Sequence, residues 1–65
     1  MENPYIGKKF NNKEEQLEAV RRNGYNIQYI RNPDRDVQLE AVRKNKSAIK
    51  YIKDIHPAVL AEYEL

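Results

Sequence analysis

The chain has 65 residues, a formal net charge of +2 and no cysteine. That length allows one small domain with a modest core, and it excludes disulfide staples and Cys-based metal sites. One histidine (His56), one serine (Ser47), no threonine and two glycines leave little from which to build a nucleophile, a base and a preorganised pocket.

A lone histidine is too few for a metal site, so neither a metal nor a cofactor is expected, and no catalytic residue is assigned. Ile, Leu, Val and Phe make up 15 of the 65 residues. That share lies just above the roughly 20% below which disorder becomes the better expectation. Gly7-Lys8-Lys9 lacks the earlier glycine, the Ser/Thr and the preceding strand of a phosphate loop. No apolar run approaches membrane-spanning length, and Met1-Glu2-Asn3-Pro4 does not read as a signal peptide. The expected compartment is the cytoplasm.

The chain is internally duplicated. Gln16-Leu17-Glu18-Ala19-Val20-Arg21-Arg22-Asn23 recurs as Gln38-Leu39-Glu40-Ala41-Val42-Arg43-Lys44-Asn45. Ile27-Gln28-Tyr29-Ile30-Arg31 recurs as Ile49-Lys50-Tyr51-Ile52-Lys53. The offset is 22 residues throughout, and 10 of 18 aligned positions are identical. Residues 1–12 then read as a partial N-terminal cap, 13–33 as repeat 1, 34–55 as repeat 2 and 56–65 as a partial repeat or cap.

Tyr5-Ile6 reads as an echo of Tyr29-Ile30, a last half-unit before the first full one. Asn12 is a good N-cap with Glu15 at the capping-box position, and Leu17 and Val20 share one helix face. That helix is expected to end at Asn23-Gly24, with glycine in the left-handed conformation. A second short helix carries Ile27 and Ile30. In repeat 2 the helix starts at Asn32-Pro33 or Asp34, with Pro33 suited to the first turn, and runs to about Asn45. Ala48, Ile49, Ile52 and Ile55 mark its second helix. Lys46 replaces Gly24, so Asn45 is the expected left-handed residue there. His56-Pro57 opens a last segment with Ala58, Val59, Leu60, Tyr63 and Leu65, at the spacing of a short capping helix or the first helix of a third unit. The predicted fold is all-α: two tandem helix hairpins with partial caps in a small solenoid-like bundle.

The stretch Leu17-Glu18-Ala19-Val20-Arg21-Arg22-Asn23-Gly24-Tyr25-Asn26-Ile27-Gln28-Tyr29-Ile30 resembles the repeat of the domain-of-unknown-function family DUF4116. The marks of that repeat are a leucine-x-alanine-valine helix, an Asn-Gly-Tyr turn and a short Tyr-Ile helix. The resemblance covers roughly residues 13–55, and repeat 2 departs from it at Lys46-Ser47. It implies a helical-repeat fold, in a family seen in bacteria, phages and large viruses, and it supplies no activity or catalytic residue.

The acids have structural readings. Glu14, Glu15, Asp34 and Asp36 suit first turns, and Glu18–Arg22 and Glu40–Lys44 are i,i+4 pairs in the favourable order. Basic residues are only half explained. From Arg43 to Lys53 there are five basic residues and no acid, while residues 54–65 hold acids and no Lys or Arg. This basic ridge is either a solvated face or a docking surface for an acidic partner. Tyr29 and Tyr51 occupy equivalent positions. They either pack into the core or stack as an exposed ladder flanked by Arg31 and Lys53. The candidate partner-binding residues are therefore Tyr25, Tyr29, Arg31, Lys46, Lys50, Tyr51 and Lys53. Val59, Leu60, Tyr63 and Leu65 are the candidates for capping or self-association.

The expected function is non-enzymatic protein binding, as an adaptor or inhibitor. Given the family's occurrence, a phage or mobile-element protein that antagonises a host defence protein is one form of it. Nucleic-acid-backbone binding along residues 43–53 is the alternative, although duplication of the whole unit argues against a helix-turn-helix. A structural homo-oligomer, such as a homodimer through Ala58–Leu65, is the third reading, because stable arrays usually need three or more units.

Overall fold

A computed structural model describes residues 3–65. Met1 and Glu2, part of the N-terminus that does not read as a signal peptide, lie outside the described residues. Among the described residues every regular element is helical: α1 (Lys13–Arg22), a 3-10 helix η1 (Gly24–Tyr29), α2 (Arg35–Lys44), a second 3-10 helix η2 (Lys46–Tyr51) and α3 (Pro57–Tyr63). The two hairpins of the duplication are α1–η1 and α2–η2. Ile55, placed by its spacing in the second helix of repeat 2, lies beyond η2 and is exposed.

Three N-caps recur at the repeat interval: Asn12, Asp34 and His56. Asn12 accepts from the Glu15 N–H at 3.0 Å, Asp34 from Val37 at 3.0 Å, and the His56 Nδ1 from Ala58 at 3.0 Å. Each satisfies an amide that the helix itself leaves open. The capping box at Glu15 closes one residue early, because its carboxylate accepts from the Asn11 N–H rather than from Asn12. Pro33 precedes the Asp34 cap instead of sitting in the first turn, whereas Pro57 does occupy the first turn of α3.

The helix ends differ from the sequence expectation. Asn23 and Asn45 are both extended, with φ of −160° and −140°. The left-handed residues are instead Gly7 and, in the link before α2, Asn32. Gly24 is required for a different reason. It is buried under α2, and a Cβ there would collide with the Ala41 carbonyl oxygen and stand 2.9 Å from Asn45 Oδ1. The Gly24 N–H donates to that same Asn45 oxygen at 2.8 Å. The turn of repeat 1 is thus built against the helix of repeat 2.

The core runs the length of the stack: Leu17, Val20, Ile27 and Ile30 from repeat 1, Val37, Val42, Ala48 and Ile52 from repeat 2, and Val59 from α3. From the N-terminal segment Phe10 packs on this core, while Ile6 is exposed in a turn. The half-unit expected at Tyr5-Ile6 is therefore not formed as a helix, and Tyr5 stacks on Phe10 instead, centroids 6.2 Å apart.

Among the described residues two polar side chains are buried, and both are hydrogen-bonded. Asn26 donates to the Ala19 carbonyl at 2.9 Å. Gln38 donates to the carbonyls of Pro33 and Asp54, each at 3.0 Å, and accepts from the His56 N–H at 2.9 Å. It therefore locks both links that flank its repeat.

Ion pairs between units also repeat. Arg21 meets Glu40 at 3.8 Å, and 22 residues on Arg43 meets Glu62 at 2.8 Å. This corrects the expected Glu40–Lys44 pair: Glu40 faces the guanidinium of the neighbouring helix, while Glu18–Arg22 forms as expected at 3.3 Å. With Val59 at the register of Val37, Glu62 at that of Glu40 and His56 at that of Asp34, α3 occupies the position of a unit's first helix and closes the stack.

Candidate protein-binding groove

Each 3-10 helix ends in an extended residue, Ile30 or Ile52, whose side chain is buried. Burying that isoleucine turns its two neighbours outward: Tyr29 and Arg31 in repeat 1, Tyr51 and Lys53 in repeat 2. Between these segments lies an open groove of about 550 Å³. Its walls carry Tyr29, Arg31, Asn32 and Pro33 on one side and Tyr51, Lys53 and Asp54 on the other, and Gln38 also lines it.

Four of the seven candidate partner-binding residues are brought together here: Tyr29, Arg31, Tyr51 and Lys53. The other three are not. Tyr25 is half-buried and meets Tyr51 edge-on, centroids 5.9 Å apart and planes at 89°. Lys46 lies over the Tyr63 ring at 5.2 Å from its centroid, and Lys50 over Tyr51 at 5.3 Å. The aromatic contact between repeats is therefore Tyr25 with Tyr51, and of the two readings of Tyr29 and Tyr51 the stacked ladder is not formed. Non-equivalent rings of the two units meet instead. Tyr29 is half-buried, and its hydroxyl accepts from the Asn3 amide at 3.4 Å.

Sequence reasoning missed Asn32, Pro33, Gln38 and Asp54. The retained Gln16/Gln38 pair and the Asn32/Asp54 correspondence were the available signals.

The groove holds two of the chain's unpaired cations, and Lys8, Lys9, Lys44, Lys46 and Lys50 also lack an ion-pair partner among the described residues. Among the described residues, Lys13, Arg21, Arg22, Arg35 and Arg43 pair with acids, whereas Arg31 and Lys53 are exposed and have no ion-pair partner. The Lys13 ammonium is raised above its ordinary value, first by its hydrogen bond to Asp36, and that bond in turn holds the Asp36 carboxyl low. The Glu62 carboxylate likewise raises Arg43. These groups knit neighbouring units together and lie outside the groove lining. At the far end of the stack Val59 is fully buried and acts as a cap, while Leu60, Tyr63 and Leu65 are exposed. Among the described residues no cluster of three His, Cys, Asp or Glu side chains is placed to hold a metal. No helix among the described residues is long and apolar enough to cross a membrane.

Fold and groove together define a short helical-repeat stack that presents equivalent side chains from successive units along one face. The model of the family described as Domain of unknown function (DUF4116) matches residues 12–55, and the chain belongs to that family. No curated protein and no solved structure matches it.

Proposed function

We propose that this chain is a non-enzymatic protein-binding module of the cytoplasm, an adaptor or inhibitor, that engages its partner through the groove between η1 and η2. One observation carries the reading: the two repeats place Tyr29 with Arg31, and Tyr51 with Lys53, on the walls of one groove. Tyrosine and arginine are enriched in protein interfaces because they combine large contact area with directional polar groups. A module that works by occupying a surface needs no catalytic group. The inhibitor form, a phage or mobile-element protein that blocks a host defence protein, uses the same face as the adaptor form. The two differ in whether the partner's activity falls on binding.

The test is affinity capture from host lysate with and without nuclease, using the native chain and the Tyr29→Ala/Tyr51→Ala variant. A partner that survives nuclease and is lost with the variant is the expected result. A partner lost on nuclease treatment sinks the reading. It would favour nucleic-acid-backbone binding along residues 43–53, where Lys44, Lys46, Lys50 and Lys53 lack ion pairs among the described residues. The homodimer reading would use exposed Leu60, Tyr63 and Leu65. Light scattering that shows a monomer at high concentration counts against it.

A further inference from the structure

The groove carries one chemical pattern twice: a tyrosine followed two residues later by an exposed cation without an acidic partner among the described residues. A ligand complementary to it must repeat its negative charge at the spacing of the units. Adjacent packed helices lie about 8–10 Å apart, so equivalent positions in neighbouring units recur at about that interval. A polyproline II segment rises about 3.1 Å per residue with three residues per turn, which places residues i and i+3 on one side about 9 Å apart.

We infer that the groove takes an extended peptide segment bearing two carboxylates three residues apart, one paired with Arg31 and one with Lys53. The intervening side chains lie against Tyr29 and Tyr51. Arg31 is the more selective end, because its planar guanidinium receives a carboxylate through two parallel N–H donors, whereas the Lys53 ammonium is a point charge. Asp54 on the same wall opposes a continuous run of negative charge, so the ligand's charges must be discrete. A peptide can leave an uncharged residue and its backbone N–H opposite Asp54, whereas a phosphate backbone cannot. The net charge of +2 is low for a strong phosphate binder. This inference rests on the protein-binding reading of the same groove and narrows it to one ligand chemistry.

The test is an amide chemical-shift titration of the isotope-labelled full chain with three probes. They are a proline-rich peptide of about twelve residues with glutamates at i and i+3, the same peptide with both replaced by glutamine, and an oligothymidylate of about twelve nucleotides. The glutamate peptide is expected to shift residues 28–33 and 51–54, and Arg31→Gln or Lys53→Gln should each weaken it about fivefold. Both residues are exposed, so circular dichroism should show that these variants keep the fold. If the glutamine peptide binds the groove equally well and Tyr29→Ala/Tyr51→Ala abolishes both, the carboxylate inference fails while the protein-binding reading stands. If only the oligothymidylate shifts the groove, both fail. If no probe shifts residues 28–33 and 51–54, the carboxylate inference is overturned.

Discussion

Repeat 1 turns at Asn23-Gly24 and repeat 2 at Asn45-Lys46, and the difference follows from what covers each turn. Above Gly24 passes α2, close enough that Ala41 and Asn45 leave no room for a side chain. The same register one unit on pairs Lys46 with Tyr63, the equivalents of Gly24 and Ala41, and there the ammonium lies over the ring. Asn23 caps its own 3-10 helix by accepting from Tyr25, whereas Asn45 reaches back to Gly24 and leaves η2 without a side-chain cap. Burial agrees: Leu17 and Ile27 are buried, but their counterparts Leu39 and Ile49 are only half-buried. Repeat 1 is sandwiched between the N-terminal segment and a full unit, while repeat 2 is closed by the seven residues of α3. Departures from the repeat thus mark positions whose neighbour has changed.

The largest break in this comparison should come from Gly24→Ala. The added methyl meets backbone, which cannot step aside as a flexible side chain does, so a loss of about 3 kcal/mol is expected by urea denaturation. Lys46→Ala at the equivalent position should lose less than about 1 kcal/mol, the worth of an exposed cation–π contact. Equal losses at the two sites would undo the sandwich explanation.

Next in size is Gln38→Ala, which leaves the His56 N–H and two carbonyls without their partner. About 2 kcal/mol is expected, and hydrogen exchange should quicken first at His56. Its counterpart Gln16→Ala should be milder, since Gln16 is only half-buried. Removing the cap with Asp34→Ala should cost about 1 kcal/mol, and thermal melting would measure it.

The smallest effect is titration of the Lys13–Asp36 contact. The Asp36 pKa is depressed in the folded chain, so its contribution is full above the ordinary carboxylate value of about 4 and fades as pH falls below it. The Lys13 pKa is raised, so its contribution is full below about 10.4 and fades above it. Lys13→Gln should flatten the stability–pH curve at both extremes. An unchanged acid limb would mean that the contact contributes nothing in solution.

Much of the fold was legible from one dimension. The 22-residue offset, the Asn12 and His56 caps and the aliphatic positions are local signals, because each depends on residues within a turn or two. Less of the groove was. Its four lining candidates Tyr29, Arg31, Tyr51 and Lys53 were found from their repetition. The clamp at Gln38 and the acid at Asp54 were not found, since their roles arise only where distant segments meet.

Sequence alone determined that this is a duplicated all-helical chain with a last segment opened at His56-Pro57 and with tyrosine and cation in register. Those features follow from helical periodicity and from copying one unit. Only the tertiary structure decided why Gly24 is glycine, that Glu40 answers Arg21 rather than Lys44, and that Tyr25 rather than Tyr29 meets Tyr51. All three are contacts between one unit and the next. Periodicity within a unit does not encode them, because they are set by side chains and backbone meeting across the interface.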